Sequence, residues 1–111
     1  MNSRYEHLVV SSHDGALNVQ IDRPEKRNAL SRAVLSQLRD VFTTYTADDT
    51  LQVAILRGAG DKSFAAGGDL RDLSLVRTPV EALQMAADGR AALDAVRKFP
   101  VPVIAALNGD A

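Results

Sequence analysis

Two short unbroken apolar runs, Val53-Ala54-Ile55-Leu56 and Val103-Ile104-Ala105-Ala106-Leu107, constrain this chain most. A strand with one wet face alternates apolar and polar residues, whereas a continuous run suits a strand covered on both faces. Two such strands in one chain call for a layered sheet with helices packed against it. The segments between and before them supply those helices.

Ser31 is placed to cap a helix running to about Ala47, whose Val34, Leu38, Val41, Phe42 and Tyr45 fall on one stripe. Thr78-Pro79-Val80-Glu81 has the form of a capping box with proline at the first helical position. It opens a second helix to about Lys98, with Leu83, Ala86, Ala87, Leu93 and Val96 expected on its packing side. Gly89 weakens that helix slightly, and Pro100 ends it.

Upstream, Leu8 to Ser12 and Ala16 to Asp22 read as strands. Leu17, Val19 and Ile21 alternate with Asn18, Gln20 and Asp22, the period of a half-buried strand. Asp14-Gly15 between them is a favoured two-residue hairpin turn. His7 and His13 flank this hairpin and read as surface residues at strand ends. The resulting order argues for an α/β fold with a largely parallel sheet, residues 1–111 forming part of a single domain.

Composition removes several function classes. The net charge of -1 leaves no broad basic footprint for nucleic acid, and the absence of cysteine removes thiolate chemistry and disulfides. No stretch reaches the roughly 20 apolar residues of a membrane helix. The polar residues Met1 to Glu6 lack the apolar stretch of a secretory leader, so a cytoplasmic location is expected.

Two motifs in one loop invite a nucleotide reading, and both fail it. Gly58-Ala59-Gly60 follows a strand, but Ser63 stands where a dinucleotide fingerprint needs its third glycine. Asp61 precedes Lys62, where a phosphate loop needs glycine. Gly58 to Lys62 therefore reads as a flexible turn.

Phe64 to Leu70 is more informative. Ala66-Gly67-Gly68 carries almost no side chain, so its backbone can approach a ligand closely and offer N–H groups. Asp69 suits the N-cap of a helix starting at Leu70, and N–H groups near a helix start favour developing negative charge. Chemistry that builds charge on a carbonyl oxygen needs such donors, each worth ~3 kcal/mol in the transition state. A plain tight turn explains the same residues. Lys26-Arg27, likewise, suits a phosphate or simply a solvated surface.

Three motifs now stand in order: Ile21-Asp22-Arg23-Pro24-Glu25-Lys26-Arg27-Asn28-Ala29-Leu30, Phe64-Ala65-Ala66-Gly67-Gly68-Asp69-Leu70, and Pro102 through Asn108-Gly109-Asp110-Ala111. Together they resemble the N-terminal half of an enoyl-CoA hydratase/isomerase, or crotonase-family, subunit. That resemblance implies a spiral of ββα units, incomplete in this chain, and an acyl-CoA substrate in fatty-acid metabolism. It implies no separate cofactor, since coenzyme A is part of the substrate, and no metal.

By the same resemblance the Gly68 amide is a backbone oxyanion donor to a thioester enolate. Ala66, Gly67, Asp69 and Leu70 would line the adenine and pantetheine path, with Lys26 and Arg27 near the phosphates and Ala29 near the thioester arm. The C-terminal remainder of the fold would supply the second donor and the acid/base carboxylates, so this fragment alone is expected to be inactive. A homotrimer or hexamer is implied. Asp110 departs from the family, which often carries a larger, less polar residue there. The alternative function is a non-catalytic CoA-binding or assembly partner with the same fold.

Overall fold

A computed structural model of the chain describes residues 2–111, with the side chains of residues 5–111. Five strands form one sheet in sequence order: β1 Asn2–Arg4, β2 Leu8–His13, β3 Ala16–Ile21, β4 Val53–Gly58 and β5 Val103–Ala105. The pairs β1–β2 and β2–β3 are antiparallel, while β3–β4 and β4–β5 are parallel. The sheet is therefore mixed rather than largely parallel. The tight Asp14-Gly15 turn makes the difference: with φ of 51° and 80° it joins β2 and β3 as a hairpin. The short β1, in the segment read only as polar, extends that antiparallel half.

Three helices follow the strands: α1 Arg32–Thr44, α2 Leu70–Ser74 and α3 Pro79–Arg97. Helix α1 begins where its cap requires, with the Ser31 side chain accepting from the Val34 amide at 3.2 Å. It passes into a 3-10 turn over Tyr45–Ala47. Replacing Ser31 with alanine leaves that amide unsatisfied in a buried setting. A loss of about 1 kcal/mol in chemical denaturation is expected.

The core lies between α1 and one face of the sheet. Alternate residues Leu8 and Val10 of β2 and Leu17, Val19 and Ile21 of β3 meet Val34, Leu38, Val41 and Phe42 of α1, all buried. Phe99, just past α3, packs edge-on against Phe42 with ring centroids 5.2 Å apart. Register carries the inward face across the sheet: Leu17 lies opposite Ala54, Val19 opposite Leu56, and Ile21 opposite Gly58. That register places Gly58 beside the loops described below.

One expectation from apolarity alone is corrected among the described residues. Helix α3 does not pack through Leu83, Ala86, Ala87 and Leu93; Leu83 and Leu93 are 72% and 66% exposed. Its expected Val96 does pack against the core with Ala95, while toward α1 Gly89 lies against Leu35 and Asp88 pairs with Arg32 at 3.0 Å; Ala92 is buried. Close helix approach favours small side chains, so Gly89 is part of the contact and not only a weak point. Strand β5 spans three residues and pairs with β4 among the described residues, where Ile104 is 52% exposed. In β4, Ala54 is buried while Val53, Ile55 and Leu56 are partly covered.

Outside the sheet, the Tyr5 hydroxyl donates to the Asp40 carboxylate at 2.7 Å and ties the β1–β2 link to α1. Burial, then the bond to Asp40, pushes the phenol up from its ordinary 10.0 to about 12. A raised value means the folded state holds this proton more tightly than the unfolded chain. The contribution of Tyr5 to stability is therefore complete below pH 10 and disappears as pH rises from 10 to about 12. Alkaline denaturation should begin later in Tyr5→Phe relative to its own neutral stability than in the parent, as followed by circular dichroism.

Candidate functional site

Three loops meet at the C-terminal end of β3 and β4: residues 23–31 after β3, residues 59–69 after β4, and residues 106–111 after β5. Each is held by specific bonds. The first begins with a 3-10 turn, Pro24–Lys26, and then passes through two left-handed residues, Arg27 and Asn28, each with φ of 55°. Asparagine tolerates this conformation better than most residues. Here it turns the Asn28 side chain inward, where it is fully buried.

Asn28 uses its whole amide group. Its Oδ1 accepts from the Arg23 amide at 2.9 Å, and its Nδ2 donates to the carbonyls of Ala59 and Ser63 at 3.0 and 2.7 Å. Asn108 approaches the same loop from the other side. It accepts from the Gly58 amide at 2.9 Å and donates to the carbonyls of Gly60 and Ser63 at 2.9 and 3.0 Å. Ser63 and Asp110 form a further parallel bridge. Gly58 to Lys62 is thus not a flexible turn but a segment pinned by two asparagines. Both asparagines stood inside the motifs quoted above. Their identity as loop ties depends on partners 31 to 50 residues distant, so no local pattern marked them.

The glycine loop is set by a second group of bonds. The Leu30 amide donates to the Gly67 carbonyl at 2.7 Å, and Leu30 and Gly68 form an isolated parallel bridge. The peptide joining Gly67 to Gly68 is trans, so its N–H points opposite to its carbonyl. With the carbonyl turned toward Leu30, the Gly68 hydrogen faces away from that strand. Among the described residues it meets no acceptor. Gly67 has φ of 84°, a conformation that glycine adopts without steric cost.

Asp69 is the N-cap of α2. Its Oδ1 accepts from the amides of Arg71 and Asp72 at 2.8 and 3.1 Å, and its Oδ2 accepts from Arg23 Nη1 at 3.1 Å. The bond from the Asp72 amide, then that from Arg23, holds its carboxyl below the usual carboxylate range. A group so engaged and so acidic is a poor base, which agrees with a capping role. The N–H groups of Arg71 and Asp72 are taken by this cap, while those of Gly68 and Leu70 meet no acceptor among the described residues. Asp72 in turn accepts from the first amide of α1, Arg32, at 2.7 Å.

An open cleft of about 800 Å³ lies among the three loops, with Pro24, Arg27, Asn28, Lys62, Ala66 and Asp110 on its walls. Of the residues expected to bind substrate, Arg27 and Ala66 line it. Lys26 is exposed on the 3-10 turn outside it, and Ala29 is buried behind the loop. Gly67, Gly68, Asp69 and the exposed Leu70 continue from Ala66 along the loop beyond the cleft wall. Lys62, dismissed with its turn, lines the cleft as a second cation, and the acidic Asp61 and Asp110 line it too.

A mixed sheet with helices between its parallel strands, and with three loops gathered at their C-terminal ends, gives the general α/β class. The family model for enoyl-CoA hydratase/isomerase matches residues 11–111, and the chain belongs to that family. Its fold is the crotonase fold, incomplete over these residues. The crotonyl-CoA hydratase of Syntrophomonas wolfei is 32% identical over 105 residues, covering 95% of this chain and 40% of that protein. The mouse mitochondrial Delta(3,5)-Delta(2,4)-dienoyl-CoA isomerase is 33% identical over 95% of this chain and 35% of its own length. The crystal structure of an enoyl-CoA hydratase from Bacillus anthracis superposes with a TM-score of 0.87 at 30% identity, covering 94% of this chain and 40% of that one. The chain therefore spans about two-fifths of the length of the relatives it matches.

Proposed function

We propose that these residues form the N-terminal part of an acyl-CoA enzyme, a hydratase or isomerase, that stabilises a thioester enolate through the Gly68 amide. The observation that carries the reading is the orientation of one peptide. Its carbonyl is held by Leu30, and its hydrogen is left for an acceptor that arrives with a ligand. As charge moves onto a thioester oxygen, a donor already in place strengthens its bond without reorganising, which lowers the barrier.

Hydration of a 2-enoyl-CoA is the default reaction, with double-bond isomerisation the close second. The names of the relatives include both classes. Coenzyme A enters as part of the substrate, with no separate cofactor. Ala66, Gly67, Asp69 and Leu70 take the adenine and pantetheine portions, largely through backbone atoms. Lys26 and Arg27 meet the phosphates, and Ala29 lies near the thioester arm. Arg27 is the better supported of the two cations, because it lines the cleft. The relatives extend well beyond the matched stretch, and we assign the acid/base carboxylates and the second oxyanion donor to that remaining part. Assembly as a trimer or a pair of trimers in the cytoplasm completes the proposal. Among the described residues, no helix is long and apolar enough to cross a membrane.

The test is a crotonyl-CoA hydration assay on the complete subunit that contains these residues, run beside a 3-enoyl-CoA isomerisation assay. Turnover in either supports the reading. Tight acyl-CoA binding with no turnover in both would replace it with a non-catalytic role.

A further inference from the structure

Between Gly67 and Gly68 the main chain has glycine on both sides, so little intrinsic torsional preference keeps that peptide in one orientation. A half-turn of its plane would bury the N–H against Leu30 and present a carbonyl instead. Something outside the two glycines must hold it. The Leu30 amide is the direct holder, and its own placement depends on the residue before it.

Arg23 reaches both sides of this arrangement. Its Nη1 donates to the carbonyl of Ala29 at 3.3 Å, one residue before Leu30, and to Asp69 Oδ2 at 3.1 Å, one residue after Gly68. The pair is sheltered: the Arg23 and Asp69 side chains are only 13% and 11% exposed. Sheltered, charge-assisted bonds are stronger and less screened than surface pairs. Arg23 does not line the cleft.

From this geometry we infer that Arg23 is a positioning residue, which sets the orientation of the Gly67–Gly68 peptide by fastening Ala29 and Asp69 on either side of it. The inference rests on the function proposed above only for its catalytic consequence. Its structural part stands on the clamp itself. The Asp72 amide and then Arg23 hold the Asp69 carboxyl below its ordinary value, which favours the charged form of the clamp.

The test uses Arg23→Gln, Arg23→Lys and Asp69→Asn in the complete subunit. Steady-state kinetics with crotonyl-CoA are measured beside amide hydrogen exchange at Leu30 and at core residues of β3 and α1. In Arg23→Gln, kcat should fall about 10- to 100-fold with KM changed by less than about threefold, as expected for a misplaced donor. Exchange at Leu30 should rise at least about tenfold while core protection holds, because local opening is separable from global unfolding. Arg23→Lys should recover part of kcat, since a single ammonium can keep Asp69 but not the guanidinium geometry.

Unchanged Leu30 exchange would overturn the inference, as would a rise in KM alone, which marks a substrate contact. Should Arg23→Gln fail to fold, Asp69→Asn, which keeps the cap oxygen and drops the ion pair, must give the same pattern or the inference fails. A parent protein without turnover would count against the proposed function, and the Leu30 exchange would still decide the clamp.

Discussion

In the complete subunit, Gly68→Pro is expected to lower kcat by roughly 10²- to 10³-fold, while Gly68→Ala stays within a few-fold of the parent. The contrast isolates one hydrogen. Proline deletes the N–H, placing a ring carbon where the hydrogen stood and fixing φ. Alanine keeps it, and its methyl would sit 3.8 Å from Leu73 Cδ1, an ordinary contact, at a backbone angle outside the left-handed region. Side-chain chemistry at this position therefore matters little, and main-chain chemistry matters greatly. Thermal denaturation of both variants separates a lost donor from a lost fold. A proline variant that folds and retains normal turnover would remove Gly68 from the mechanism.

The second large effect is expected at Gly58, where alanine should cost about 3 kcal/mol of stability or prevent folding. A methyl built there would press into the carbonyl oxygens of Ser63 and Phe64 and into Asn28 Nδ2, closer than real side chains approach. Two of those atoms are backbone, and Asn28 is fully buried and bonded to three partners, so none can yield cheaply. Gly60→Ala is the control. Its position has φ of 83° but open space around it, so only the conformational cost of about 1 kcal/mol applies. Urea denaturation of the two variants measures both. Equal losses would mean that the crowding at Gly58 relaxes easily.

How far these features could be read before the structure depended on the range of the interactions involved. Local rules worked well. The Asp14-Gly15 hairpin, the Ser31 cap, the Asp69 cap and the helix start at Thr78 each rest on neighbours a few residues apart. Even there the structure adds detail: Glu81 reaches the Arg77 amide, one residue short of the reciprocal bond a full capping box makes.

Apolarity was a poorer guide to which face of α3 packs. Alanine and glycine give a weak stripe, and the leucines that looked inward face out. Buried polar residues were poorer still. Arg23, Asn28 and Asn108 act across 5 to 50 residues of sequence, and no periodicity records a side-chain bond to a distant backbone group. The resemblance contained these residues within its motifs, yet only the folded geometry gives them work: two asparagines that fasten the loop after β4, and an arginine beside the glycine peptide.

The vibrational frequency of an enoyl-CoA thioester carbonyl, isotope-labelled at carbon and bound to the complete subunit, reports most directly on whether the Gly68 hydrogen meets that oxygen. Donation from Gly68 should lower the stretch relative to the same thioester in water, and Gly68→Pro should abolish most of that shift while still binding. An undiminished shift in the proline variant, or none in the parent, would contradict the role given to this peptide.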